Sequence, residues 1–584
     1  MDFPLSGIGL LLALSCAVFT VGSVYAMGRL LLASLGQDRY GHHVPFGIGF
    51  GVNHLLFLAA SLFLDGPDVV LLMNLTHAAI AGFFLLLMLR RGITLRRPDS
   101  FWPAMILVLL LPYLFRSSSP PMNVDGLNFY LPNIEWVYHR GLAFNPHLTA
   151  YTTMPMAAEY LFAQSYGLAG IPGVVYTDVL FGILVLRIAY GTARMILTPA
   201  WAWVFLLFVL LMPHSLTYLF GSCKVDMLLV YLVLSAGSML LQRLDPARVA
   251  VILFLFLASC AVKYPVWLQV MLPIATGMLY LLFRREWRLL SLACILSCLL
   301  VGPVMLKNKL QVGNPLAPLV YSPKQNKFVA SSHVPLGWDK VKSVVKKSDV
   351  KGEKPIHSIA NVLEYTMAYI LYAAFGLLLV IAYLSRLDLR RVYPVIAFLL
   401  LSLLPLHLWL YKNPQPPRFM LFSLMMLVMV MSYMAQGIVE RIAGPAAFHV
   451  GLALASILLL ANLLNSYGKH SQNISQYHDV GSKGLGDWYA AAGKPHYAIS
   501  RRMFDDGWLD RKVMYLSPMV IGTVPFSEIG KVHKDLDIFL NRRSFQKRLP
   551  DYDYIFCTMA DRQRFGLLDS EVVYDYGYHV LLKR

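Results

Sequence analysis

Charge is scarce in this sequence: only 14% of its 584 residues are Asp, Glu, Lys or Arg, while 57% are hydrophobic. A chain so poor in charge must be solvated mainly by lipid, which excludes a soluble enzyme and a disordered regulator. Cysteine is scarce too. The six (Cys16, Cys223, Cys260, Cys294, Cys298 and Cys557) form no CxxC pair, and most lie inside apolar runs. That pattern supports neither a disulfide framework nor a zinc site. A basic segment before the first apolar run is missing as well; acidic Asp2 stands there, so the run reads as a retained anchor rather than a cleaved signal peptide. Long low-complexity tracts and solenoid-type repeats are also lacking.

What the sequence has is long apolar runs, with a mean hydropathy of +0.58. At about 20 residues per span, candidate helices fall near 5–26, 45–64, 69–89, 101–115, 173–193, 197–214, 224–242, 249–262, 265–283, 288–306, 359–384, 393–411, 418–436 and 445–465, about 14 in all. A net charge of +18 is also what a nucleic-acid partner selects, but Lys and Arg gather at the ends of these runs, as cytoplasmic anchors do. Arg90, Arg91, Arg96 and Arg97 place the third connection inside, and the loop after the fourth span then faces outside. One consistent threading also puts Arg243 and Arg248, Arg284, Arg285 and Arg288, Arg386, Arg390 and Arg391, and Arg441 inside. Its parity requires the run 156–170, which is short and carries Glu159 and Gln164, to lie along or dip into the outer interface rather than cross.

The sequence therefore predicts an all-α polytopic membrane protein with a small C-terminal α/β domain. The expected parts are a four-helix segment (1–115), an outer loop with an interfacial helix (116–172), a transmembrane core (173–465) containing an outer loop at 307–358 with ten lysines, and a soluble outer domain (466–584). In that last part, 512–516, 552–557 and 572–582 read as strands, and the sequon Asn473-Ile474-Ser475 stands near its start.

Chemistry points first to Asp125, in a loop rich in Asn and aromatic side chains: Phe129, Tyr130, Trp136, Tyr138, Phe144 and Tyr151 offer faces for stacking on sugar rings, or form an interfacial belt. Asp125 itself reads as a turn former, a helix cap or a catalytic carboxylate. Asp226, in Gly221-Ser222-Cys223-Lys224-Val225-Asp226, begins a span on the same outer side. There it pairs with Lys224, interacts with the helix dipole, or belongs to a polar cavity. Lys263-Tyr264-Pro265 and Arg418 fall on that face also, as snorkelling cations or as phosphate holders. His139, His147 and His214 are scattered near these carboxylates without a metal-binding spacing, so a divalent metal stays an open question.

In order along the chain, Asp125-Gly126-Leu127-Asn128-Phe129-Tyr130-Leu131-Pro132, Tyr151-Thr152-Thr153-Met154-Pro155, Lys263-Tyr264, Gly313-Asn314-Pro315-Leu316-Ala317-Pro318 and Arg418-Phe419 resemble the motif series of the GT-C superfamily. These are membrane glycosyltransferases that use polyprenyl-phosphate sugars, and they include protein O-mannosyltransferases and lipid A aminoarabinose transferases. The corresponding outer-loop motif is D-x-L-x-Y-H-L-P, so Tyr130 stands where His is usual, and Gly126 where some relatives carry a second acid. The resemblance implies inverting transfer from a polyprenyl-phosphate sugar to a glycan, lipid or protein acceptor on the non-cytoplasmic side of a bacterial inner membrane. Asp125 is then the base, and Tyr130, Asp226, Lys263, Tyr264, Asn314 and Arg418 are substrate-binding residues. Two other classes remain beside it: a transporter or flippase of lipid-linked glycans, and a noncatalytic partner in envelope assembly.

Overall fold

The computed structural model describes residues 7–35, 43–90, 130–141, 155–211, 221–312, 315, 355–410, 421–442, 513–515, 550, 553–559, 562–563, 566–576 and 579–583. Uninterrupted Leu, Phe and Val runs in lipid leave the backbone no partner but itself, and helices follow. They are α1 (Gly7–Ser34), α2 (Val44–Ala60), α3 (Gly66–Arg90), α4 (Leu131–Arg140), α5 (Ala157–Ala193), α6 (Pro199–Leu211), α7 (Asp226–Leu240), α8 (Pro246–Cys260), α9 (Pro265–Phe283), α10 (Trp287–Val312), α11 (Pro355–Leu384), α12 (Tyr393–Leu410) and α13 (Leu421–Ile442). Six of them, α1, α3, α5, α9, α10 and α13, are long and apolar enough to cross a membrane. The chain is an integral membrane protein. The expected spans at 101–115 and 445–465 lie outside the described residues.

Proline marks several helix starts, where its missing N–H costs nothing. Pro246 opens α8, and the Asp245 side chain caps it by accepting from Arg248 N at 2.8 Å. The centre of the bundle is α7, buried from Asp226 to Met239, packed against α5, α8 and α13. Leucines of α3 and α10 face outward instead, Leu71, Leu75 and Leu86 on one and Leu292 and Leu299 on the other. At the α1–α2 crossing a Cβ on Gly28 would meet the Pro45 carbonyl, and one on Gly49 the Val24 carbonyl, so only glycine lets the two backbones approach.

Three helices differ from the sequence expectation. Residues 131–140, expected as outer loop, form α4: Pro132 stands in its first turn, Leu131, Ile134 and Val137 make a buried stripe at helical spacing, and Gly141 (φ 59°) ends it. The run at 156–170 is the first arm of α5, separated from the second by non-helical Ala169 and Gly170. From Ala157 to Leu168 it is about 18 Å long, shorter than a hydrocarbon core of about 30 Å, and it is buried in the bundle almost throughout rather than laid on an open surface. The third is α10, which continues through Lys307 and Asn308 to Val312, where loop was expected.

The C-terminal part contains a four-stranded sheet: β1 (Val513–Tyr515), β2 (Tyr554–Thr558), β3 (Glu571–Tyr576) and β4 (His579–Lys583), in the order β1-β2-β4-β3. β1 runs parallel to β2; the other pairs are antiparallel. The expected strand 572–582 is thus two strands paired with each other, Val572 against Leu582.

Candidate active site

Asp226 opens α7, where the unpaired N–H groups of the first turn favour a negative charge. Lys263 stands on the tight turn between α8 and α9. Two bonds fix that turn: Trp267 Nε1 donates to the Cys260 carbonyl at 2.7 Å, and Ala157 N, at the start of α5, donates to the Ala261 carbonyl at 3.1 Å. The result is a buried ion pair, Lys263 Nζ to Asp226 Oδ1 at 2.8 Å, with side-chain exposures of 5% and 3%. The Tyr130 ring lies over the same ammonium, its centroid 5.4 Å from Nζ. Tyr264, the next residue on the turn, accepts a hydrogen bond from Asn308 Nδ2 of α10 and meets Trp267 edge-on at 4.8 Å. One turn further into α9, Gln269 Oε1 accepts from Ser423 Oγ, near the start of α13, at 3.1 Å.

The surrounding carboxylates were not legible as site residues. Asp178, inside the second arm of α5 and fully buried, accepts from Ser222 N at 2.9 Å. The backbone turns sharply to present that amide: Gly221 (φ 63°) and Cys223 (φ 57°) both take the left-handed conformation, and for Cys223 this is strained. Burial pushes the Cys223 thiol well up, with the Asp178 and Glu135 carboxylates adding to the effect. Asp178 lies in the fields of Asp226 and Lys224, and Glu159 in those of Lys307 and Lys263. Among the described residues Asp178 Oδ1 and Glu159 Oε2 accept no hydrogen bond. The sequence did hold a signal: a carboxylate within an apolar span is functional by default, and Asp178 sits in the middle of one.

Helix α4 supplies the roof. A Cβ on Gly66, the first residue of α3, would strike the Tyr138 carbonyl and the Arg140 and Gly141 amides, so α4 ends directly on the start of α3. Its inner side rests on the first arm of α5, where the Tyr166 hydroxyl donates to Glu135 Oε1 at 3.3 Å and the Tyr138 and Tyr166 rings meet at 5.1 Å.

Of the residues singled out from the sequence, Lys263 meets both Asp226 and Tyr130, and Tyr264 is its neighbour on the turn. Asp125, Asn314 and Arg418 lie outside the described residues. Among the described residues no group of three His, Cys, Asp or Glu side chains is placed to hold a metal ion. His139 is exposed at the end of α4, and His147 and His214 are outside the description.

The chain is similar to a solved structure. That structure is ArnT from Cupriavidus metallidurans bound to undecaprenyl phosphate, at 13% identity, over 83% of this chain and 98% of the other, with a TM-score of 0.44. No protein-family model matches the sequence, nor does any curated protein match it.

Proposed function

We propose that this protein is a GT-C glycosyltransferase that moves a sugar from a polyprenyl-phosphate donor to a glycan, lipid or protein acceptor at the non-cytoplasmic membrane face. The observation that carries the reading is the Asp226–Lys263 pair beneath Tyr130, which joins two of the resembling segments, those of Tyr130 and Lys263, across more than a hundred residues of chain and adds Asp226 to them. Covalent reach tightens it. Five residues span at most about 18 Å, so Asp125 is tethered that closely to Tyr130, and Arg418 to Ser423, whose hydroxyl bonds to α9 one turn beyond Tyr264. Asn314 follows Asn308, the partner of Tyr264, by six residues, at most about 22 Å.

In the reaction, the acceptor hydroxyl gives its proton to the Asp125 carboxylate as its oxygen bonds to the anomeric carbon; the bond from that carbon to the phosphate oxygen breaks, and polyprenyl phosphate departs with the electron pair. Negative charge grows on the departing phosphate, where Lys263 and Arg418 supply the opposing charge. Asp226 and the Tyr130 face hold the Lys263 ammonium in place before the donor arrives, so its orientation is already set in the free enzyme.

The described charges favour chemistry over transport. A route through the membrane needs paired charges at mid-depth, whereas Asp226 is the first residue of α7, Lys263 lies between two helices, and Asp178, though inside α5, accepts from Ser222 just before the start of α7. The test is transfer from labelled undecaprenyl-phosphate sugars in liposomes. Asp125→Asn is expected to slow transfer about 100-fold to 10,000-fold while donor binding is kept. Full transfer by that variant overturns the assignment, and movement of intact lipid-linked sugar without transfer favours a flippase.

A further inference from the structure

A cleft of about 580 Å³ opens between α1, α2, α5 and α7 at the end of the bundle opposite Asp226. Ser238, which lines it, lies twelve residues along α7 from Asp226, a rise of about 18 Å, so the cleft is separate from the site above. Its volume is within the ~300–1,000 Å³ of small-molecule sites. The walls are chiefly apolar, and Val18 on the rim is 52% exposed on the outer face of α1, so the cleft communicates with the surface that lipid covers. One cation enters it: Arg187, exposed on the second arm of α5. Among the described residues that guanidinium has no carboxylate or hydrogen-bond partner; it acts electrostatically on the Tyr231 hydroxyl across the cleft. The polar rim is fixed in position, with Ser238 Oγ 2.7 Å from His43 Nε2 and the Tyr231 hydroxyl donating to the His43 carbonyl at 3.0 Å.

An arginine facing an apolar cleft within a membrane-spanning helix needs a compensating anion, and lipid chains need apolar walls. Two glycines show that the walls were left open: a Cβ on Gly22 or on Gly191, both lining the cleft, would meet nothing within 4 Å. We infer that this cleft binds a phosphate-headed membrane lipid, its phosphate on Arg187 and a chain along the Gly22 and Gly191 walls. The planar guanidinium suits two phosphate oxygens at once, which an ammonium does not match.

The probes are phosphatidylglycerol, zwitterionic phosphatidylethanolamine and undecaprenyl phosphate, each added to the full-length protein in detergent and counted as bound adducts by native mass spectrometry. The wild type should retain phosphatidylglycerol over phosphatidylethanolamine by about tenfold or more, and Arg187→Gln should erase that preference. Arg187→Lys should keep part of it, which separates recognition from a failure to fold. Gly191→Leu, whose side chain has room, should lower occupancy by every lipid while Arg187 remains. Competition by undecaprenyl phosphate for the Arg187-dependent adduct assigns the phosphate to an isoprenoid carrier; lack of competition assigns it to a glycerophospholipid; both sustain the site. Equal retention of the anionic and zwitterionic lipids, or an adduct unchanged in Arg187→Gln, overturns it.

Discussion

Two polar regions are buried in the same bundle and are built differently. Around Asp226 the groups are ionic, a carboxylate and an ammonium at 2.8 Å with further acids and lysines near by. Where α2, α3 and the first arm of α5 meet, the groups are amides and an imidazole: His77 Nε2 donates to Asn53 Oδ1 at 2.9 Å, Gln164 Nε2 to the same oxygen at 3.2 Å, and Asn74 Nδ2 to the Gln164 carbonyl at 3.3 Å. Both regions tie helices together, yet only the ionic one costs several kcal/mol per charge to bury, so only there does the sequence carry an expense that packing cannot explain. The amide cluster does what interhelical hydrogen bonds do in membranes, fixing which helices meet. Location therefore separates the two less well than charge does.

The sharpest way to break this contrast is Lys263→Met. It leaves Asp226 without its ammonium and should cost about 3 to 5 kcal/mol of stability, with transfer lost. Adding Asp226→Asn should return most of the stability, since a pair removed whole is often neutral, but none of the activity. Thermal unfolding in detergent beside a transfer assay reads both. A double variant that regains activity would show the pair to be scaffold only. Next in size is Asn53→Leu, which deprives the His77 and Gln164 donors of a shared acceptor and should cost about 1 to 3 kcal/mol. Transfer per folded molecule should stay at the wild-type rate. A large drop in rate with stability intact would move the amide cluster into the reaction site and dissolve the distinction.

The same contrast explains what the sequence discloses. Helix positions were legible because lipid demands apolar runs of fixed length: the runs at 265–283 and 393–411 reappear as α9 and α12 within a residue at each end. Which helices form the centre was not legible, because α5 and α10 are both strongly apolar although the first is mostly buried and the second mostly lipid-facing. The α4 helix was hidden by its polar residues; Asn133 and Glu135 suggest a loop until the Leu131, Ile134 and Val137 stripe is read with Pro132 and Gly141. Asp226, Lys263 and Tyr130 stood out as polar groups at helix ends. Asp178 and Glu159 do not read as chemistry in the sequence, because one is surrounded by apolar neighbours and the other marks only a weak span. Pairing across 37 residues, as between Asp226 and Lys263, leaves no periodic trace in the chain.

The finest test asks whether the Tyr130 face belongs to the ionic region or merely fills space beside it. A desolvated ring under an ammonium is worth about 0.5 to 2 kcal/mol, and Tyr130 is buried with its centroid 5.4 Å from Lys263 Nζ. Phe keeps the face and Leu removes it, so Tyr130→Leu should be less stable than Tyr130→Phe by about that amount. Volume and hydrophobicity also differ between Phe and Leu, which a single comparison cannot separate. Repeating it in a Lys263→Met background cancels those differences, because they persist when the ammonium is gone. If Tyr130 acts on the cation, the Phe-to-Leu gap should narrow by about 0.5 kcal/mol or more in that background. A gap of the same size with and without Lys263 would make Tyr130 a packing residue, and the orientation of the ammonium would then rest on Asp226.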